Sequence, residues 1–265
     1  MRPLAEFRAA DRRAIRGVFT DIDETVSTEG RLTAEAYAAL EQLKAAGLMV
    51  IPVTGRPAGW CDLIARFWPV DAVVGENGAF WMWLDRAAGR LRTRYVQDEA
   101  TRAEGRRRLE AVKADVLREV PGAGIASDQP YRAADLAIDF CEDVPALPRA
   151  EVDRIVAIFE RHGAHAKISS IHVNGWFGDY DKLTTTRLMM SELHDVDLEA
   201  SRNEWLFSGD SPNDSPMFGF FPNAVGVANV VDFADRTPHL PRWITRARSG
   251  AGFAEMARAL LESRR

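Results

Sequence analysis

Cysteine is nearly absent from this chain. Only Cys61 and Cys141 occur, far apart and without metal-ligand spacing. No disulfide framework or cysteine-based metal site can be built from them, and the pair predicts two reduced, largely buried thiols in a cytoplasmic protein. Long apolar runs are missing as well. No stretch approaches the roughly 18 uninterrupted apolar residues that a membrane span needs. Residues 1–16 are rich in charge and hold no apolar segment of the secretory-signal kind. No internal repeat or low-complexity segment is visible. Neither sign of charge dominates: 34 Lys+Arg against 39 Asp+Glu give a net charge of −5. That balance provides no general attraction for nucleic acid or an anionic membrane.

What is present suffices for a folded enzyme. The 265 residues are enough for one large domain or two modest ones, and 46% hydrophobic content allows a sizeable core. Strand and helix patterns alternate at first. Ile15–Thr20 reads as a buried strand. Thr33 caps a helix running to Ala46, with Ala36, Leu40 and Leu43 on one face and Gly47 as its stop. Leu48–Val53 is a second strand, followed by a helix through Phe67 and a short strand at Ala72–Val74. This alternation predicts a parallel sheet.

The pattern changes near residue 80. Phe80–Leu84 and Arg92–Val96 read as a hairpin, Thr101–Glu119 as a long charged helix and Leu136–Phe140 as a strand. An amphipathic helix over Glu151–His162 and a strand over Ala166–Val173 follow. The α/β pattern then resumes with a helix at Lys182–Leu193, strands at Trp205–Ser208 and Ala224–Val227, and a closing helix at Phe253–Leu261. The order predicts an α/β fold: a doubly wound, Rossmann-like parallel-sheet core over 1–84 and 182–265, interrupted by an α+β module over 85–181.

The most informative stretch is Val18-Phe19-Thr20-Asp21-Ile22-Asp23-Glu24-Thr25. An apolar run ends abruptly in two aspartates one residue apart. On an extended backbone Asp21 and Asp23 point the same way, at the strand end where open α/β sheets bind ligands. Two carboxylates so close repel, so a cation is expected beside them. Thr54, Lys182 and the pair Asp210/Asp214 fall at further strand ends or helix starts. Carboxylates are hard oxygen ligands that suit magnesium. A hydroxyl and a buried ammonium suit a phosphoryl group in transfer. One carboxylate can act as nucleophile and the other as general acid and base. Any one piece alone is ordinary turn or surface chemistry.

Together these residues resemble the haloacid dehalogenase-like superfamily, in particular its phosphatases. Asp21-Ile22-Asp23-Glu24-Thr25, Thr54-Gly55-Arg56, Lys182 and Gly209-Asp210-Ser211-Pro212-Asn213-Asp214 match its four motifs in order. The insert between the second and third motifs is similar to the subfamily with a large α/β cap, as is Glu76-Asn77-Gly78-Ala79. The resemblance implies Asp21 as nucleophile and magnesium ligand, and Asp23 as general acid/base with its backbone carbonyl on the metal. It implies Thr54 and Lys182 as holders of the phosphoryl oxygens and Asp210 as a direct metal ligand. Asn213 and Asp214 would orient the metal site or its waters. One departure is visible: the family's glycine after the second aspartate is Glu24 here. Glu24 is expected either in an ordinary backbone conformation or pointing outward.

The cap is expected to select the leaving group. In Ser169-Ser170-Ile171-His172-Val173-Asn174-Gly175-Trp176, polar Ser170, His172 and Asn174 alternate with apolar neighbours. His172, Asn174 and Trp176 could bind a sugar; a solvent-facing sheet edge is the plainer reading. Arg56 beside the second motif could reach a substrate carboxylate or hydroxyl, with a structural salt bridge as the alternative, and Gly55 could also touch substrate. The segment Gly209–Met217 is most similar to mannosyl-3-phosphoglycerate phosphatases and their sucrose- and trehalose-phosphate relatives. The expected substrate is therefore a small phosphorylated sugar or glycoside. A sugar phosphomutase and a non-catalytic binding protein on the same fold are the alternatives. The arginines Arg106-Arg107-Arg108 read as a solvated mixed-charge helix face, and Trp81 and Trp83 as packing residues.

Overall fold

A computed structural model describes residues 1–264. In chain order, β1 (Arg2–Pro3) and α1 (Ala9–Arg13) precede β2 (Gly17–Thr20), the short hairpin β3 (Ser27–Thr28) and β4 (Arg31–Leu32), and α2 (Ala34–Ala45). Then come β5 (Met49–Pro52), α3 (Ala58–Phe67), β6 (Val73–Gly75), β7 (Phe80–Asp85), β8 (Arg90–Tyr95) and α4 (Glu99–Glu119). The middle of the chain supplies β9 (Gly124–Ile125), β10 (Leu136–Asp139), α5 (Arg149–Arg161), β11 (His165–Ile168) and β12 (His172–Trp176). The last third holds α6 (Lys182–His194), α7 (Leu198–Ser201), β13 (Trp205–Gly209), α8 (Ser215–Phe220), β14 (Val225–Gly226), β15 (Trp243–Ile244) and α9 (Ser249–Glu262).

Six strands form a parallel sheet in the order β1-β15-β14-β13-β2-β5. Successive residues of the central strands feed opposite cores. Val18, Val50 and Leu206 pack with α2 and α9, whereas Phe19, Ile51 and Phe207 pack with α6 and α8. A sheet covered on both faces needs such uninterrupted apolar runs. The doubly wound α/β core is thus as expected. Thr33 caps α2, accepting from the Ala36 N–H at 3.3 Å.

The inserted module is a four-stranded antiparallel sheet, β11-β12-β10-β9, backed by α4 and α5. Leu109, Val112 and Val116 of α4 meet Val152, Ile155 and Phe159 of α5 and Ile138 and Val173 of the sheet in a core of their own. The expected boundary at residue 85 falls inside the β7–β8 hairpin. That hairpin pairs with β6, which is joined to the main sheet by the Val53–Val74 bridge, so it extends the core edge. Trp81 is buried in this part of the core.

A second difference lies at the segment read as one strand over Ala166–Val173. It is a hairpin, β11 to β12, turning at Ser169–Ile171. No glycine or proline marks the turn. The Ser169 hydroxyl makes it instead, accepting from the N–H groups of Ile171 (3.3 Å) and His172 (2.9 Å) and donating to the His172 carbonyl (3.0 Å). All of β12 is buried, so it is no solvent-facing edge.

Candidate active site

Strand β2 lies between β13 and β5 in the main sheet, and at its carboxyl end the Asp21 N–H continues the ladder to the Ser208 carbonyl at 2.8 Å. The chain then stops being extended. The Ile22 carbonyl accepts from Thr25, Val26 and Ser27, closing a tight turn. Asp21 and Asp23 still face one small cavity, yet a turn rather than strand pleating brings them there. Asp21 is buried at 3% exposure, and Asp23 turns toward the cap. Glu24 is in the left-handed conformation with φ +52°, which overturns the first of the two expectations, an ordinary backbone, and its side chain is half-buried. Its backbone keeps the shape a glycine would adopt, at a cost of roughly 1–2 kcal/mol. Three contacts offset this. The Glu24 N–H donates to Ser27 Oγ (3.1 Å), its carbonyl accepts from Asn229 (2.9 Å), and its carboxylate accepts from Ser249 Oγ (2.9 Å).

Lys182 is the first residue of α6. Asp181 and Thr184 form a reciprocal cap that fixes the helix start. The Lys182 ammonium is fully buried, 3.0 Å from Asp21 Oδ1 and 2.7 Å from Asp214 Oδ1. The other Asp214 oxygen accepts from the N–H groups of Asp210 (3.0 Å) and Ser211 (3.2 Å). A Cβ at position 209 would stand 2.4 Å from Asp214 Oδ2, so only glycine lets the loop close on that carboxylate. Asp214 is therefore shaped to hold this loop and Lys182. Asp210 is pinned by neutral donors, Thr25 Oγ1 on one oxygen (3.1 Å) and the Asn229 amide on the other (3.0 Å).

Asp21, Asp210 and Asp214 each offer one carboxylate oxygen, all within 4.8 Å of one another. The Asp23 carboxylate is not one of this group, so any part it takes in holding a metal falls to its backbone carbonyl. Three buried acids around one ammonium make a site short of positive charge. Burial pushes the Asp21 carboxyl up to about 7, with Asp214 and Asp23 adding to the rise and Lys182 opposing it. Burial and its acidic neighbours likewise push Asp210 well up. A hard divalent cation would relieve this imbalance, and the all-oxygen donor set fits one.

The remaining expected residues meet across the core–cap boundary. Thr54 is buried at the end of β5, with its hydroxyl oxygen accepting from the Arg56 N–H (3.0 Å). Gly55 sits against Asn77 and the cap residue Asn174. Arg56 is the hub. Its Nε donates to both Asp23 oxygens (2.8 and 3.1 Å), Nη1 to Asp128 (3.3 Å) and Nη2 to Glu142 (2.8 Å), while Trp60 lies 4.3 Å from the guanidinium. Asp23 and Glu142 outweigh burial and raise the Arg56 pKa. Glu142 also meets His172 Nε2 at 2.9 Å, and with Arg56 this holds its carboxyl down at about 2. Asn174 spends its amide on Asp135 (3.0 Å), which is paired with buried Arg132.

The cap is closed. A cavity of about 10 Å³ remains between Asp21, Asp23, Arg56, His172 and Asn174, room for about one water. Glu76 anchors the closure from the core, accepting from the N–H groups of Ala58, Ala133, Ala134 and Asp135 at 2.7 to 3.2 Å. Sequence reading assigned no role to Asp128, Arg132, Asp135, Glu142 or Asn229. Their motifs are unremarkable, and only folding brings them to the site. Glu76 and Asn77 were visible as a family-like tetrapeptide, without a task. Both have positive φ, and Asn77 Oδ1 accepts from Asn213 at 3.3 Å.

Comparisons with known proteins bear on the fold. Residues 18–100 match a family model described as haloacid dehalogenase-like hydrolase. No curated protein matches the chain in sequence. Among solved structures, a Thermoplasma acidophilum protein designated 0175 superposes with a TM-score of 0.66 at 19% identity, over 93% of this chain and 98% of that one. The sucrose-phosphatase of Synechocystis, solved with sucrose and phosphate, gives 0.64 at 14% identity over 93% and 98%. A trehalose-6-phosphate phosphatase related protein gives 0.60 at 15% over 92% and 96%. At these identities the likeness is one of fold, and it spans the core and the cap.

Proposed function

We propose that this chain is a haloacid dehalogenase-like hydrolase, a magnesium-dependent phosphomonoesterase acting on a phosphorylated sugar or glycoside. The observation that carries the reading is the placement of Asp21. It lies buried at the end of a central strand, 3.0 Å from the Lys182 ammonium, in a cavity it shares with Asp23. The solved structures of sucrose-phosphatase and of the trehalose-6-phosphate phosphatase related protein support the substrate class.

Magnesium would be held by Asp21, Asp210 and the Asp23 carbonyl, and when bound it neutralises phosphoryl charge and polarises the reacting phosphorus. Thr54 and Lys182 hold the phosphoryl oxygens. An Asp21 oxygen attacks phosphorus, the bond from phosphorus to the ester oxygen breaks, and Asp23 gives that oxygen its proton. Asp23 then takes a proton from water as the water oxygen attacks the aspartyl phosphate. Inorganic phosphate leaves and the Asp21 carboxylate is restored. Asp214 keeps Lys182 in place throughout.

Entry requires the cap to open, because the closed cavity admits no phosphoryl group. Opening separates Arg56 from Asp128 and Glu142, and substrate binding frees an Asp23 oxygen from Arg56. Closure over substrate then excludes bulk water. The test is phosphate release from a panel that includes mannosyl-3-phosphoglycerate, sucrose 6-phosphate and trehalose 6-phosphate, with magnesium and with chelator. Release that chelator abolishes and that Asp21→Asn eliminates supports the reading. Isomerisation primed by a sugar bisphosphate, without net phosphate release, would replace it with a phosphomutase.

A further inference from the structure

A second, larger cleft of about 320 Å³ opens beside the closed cavity. Asp23, Glu24, Glu29, Arg56, Glu142 and Ile171 are among the residues that line it. Its volume is in the range of small-molecule sites. Asp23 borders both spaces. The group that protonates the leaving oxygen therefore points to where the rest of the substrate lies. The other groove between cap and core, near Pro212, Lys167 and Arg236, has no contact with Asp23.

The lining is lopsided in charge. Four acidic residues line it beside one arginine, and that guanidinium is already engaged by Asp23, Asp128 and Glu142. Glu24 stands where related motifs carry glycine, so this chain has added a negative charge at the mouth. The Ser249 hydroxyl fixes that carboxylate at 2.9 Å. Glu29 sits exposed on the turn between β3 and β4.

Carboxylates only accept hydrogen bonds, and sugar hydroxyls can donate them. A leaving group with its own carboxylate would meet like charges, and to reach Arg56 under the closed cap it would have to displace Asp23, Asp128 and Glu142. We infer that the leaving alcohol is uncharged and rich in hydroxyls. Glu24, Glu29 and Glu142 are the residues that reject leaving groups bearing a carboxylate or a second phosphate. The inference rests on the phosphatase reading above and narrows it. It favours neutral sugar phosphates such as sucrose 6-phosphate over mannosyl-3-phosphoglycerate, whose leaving group keeps a carboxylate.

The test uses the full chain and two phosphate esters that differ only in a CH₂OH against a carboxylate, glycerol 3-phosphate and 3-phosphoglycerate. The wild-type chain should favour the neutral ester in kcat/KM by about tenfold or more. Rising ionic strength should narrow the gap. Glu29→Lys, at an exposed turn, should narrow the ratio several-fold, and Glu24→Gln should do so independently. Equal or faster hydrolysis of 3-phosphoglycerate by the wild-type chain would overturn the inference while leaving the phosphatase reading intact. So would a ratio unmoved by both variants. No release from either ester or from p-nitrophenyl phosphate would remove the phosphatase reading itself, and this inference with it.

Discussion

Asp21→Asn should stop turnover and, without metal, make the protein more stable. The Asp21 carboxyl is raised from 3.8 to about 7 in the folded chain, first by burial and then by Asp214 and Asp23 against the pull of Lys182. The folded state therefore holds this proton more tightly than the unfolded state. The stability it contributes is full below pH 3.8 and is lost as pH rises through 7. Each pKa unit is worth about 1.4 kcal/mol, so above pH 7 the metal-free wild-type chain has given up about 4 kcal/mol. Asparagine is neutral at every pH, and Lys182 keeps Asp214 at 2.7 Å. At pH 8 in chelator the variant should gain about 2–4 kcal/mol, a Tm rise on the order of 5–10 °C. At pH 5.5 the folded wild-type chain holds this proton but the unfolded chain does not, so the difference should shrink to about half and close only below pH 3.8. With saturating magnesium the order should reverse, because only the wild-type cluster regains full ligand charge. Differential scanning calorimetry at the two pH values, with chelator and with magnesium, checks all three. A variant that melts below wild type in chelator at pH 8, or that is offset equally at both pH values, would refute the reasoning.

Other changes probe the surrounding residues. Lys182→Ala leaves Asp21 and Asp214 buried without their shared ammonium and should cost about 3–5 kcal/mol, read by urea denaturation. Asn229→Ala releases one oxygen of Asp210 and the Glu24 carbonyl. It should weaken magnesium binding about tenfold or more by isothermal titration, since groups that orient ligands tune metal affinity. Arg56→Ala removes the guanidinium that spans Asp23 and two cap carboxylates. Small-angle scattering of the substrate-free protein should then show a larger radius of gyration, and an unchanged radius would mean that the remaining core–cap contacts, Glu76 and the Arg132 bond to the Gly55 carbonyl among them, suffice to hold the cap.

The latch suggests how the cap and the chemistry are coupled. The same guanidinium that binds cap carboxylates also binds the proposed acid/base, Asp23. Closure without substrate therefore leaves Asp23 in an ion pair, and a substrate must compete for it. His172 and Glu142 form the cap side of the same chain of contacts. Cap residues thus reach the acid/base through one core arginine.

The parallel core was legible in the amino-acid sequence, and so was the placing of Asp21, Thr54, Lys182 and Asp210 near strand ends or a helix start. Those are local properties: apolar runs such as Met49–Pro52 make buried strands, and the polar residues that follow mark the ligand edge. Helix α6 began at Lys182 as read, because Asp181 and Thr184 cap it from within four residues. Tertiary structure alone decided the rest. The Ser169 turn needed no glycine or proline, so the β11–β12 hairpin read as one strand. The left-handed backbone at Glu24 is held by Ser27 close by and by Asn229 and Ser249, more than 200 residues away in sequence. Arg56 meets Asp128 and Glu142 at sequence separations of 72 and 86. No spacing rule reaches that far, since such pairs form only when two separately folded layers close on each other.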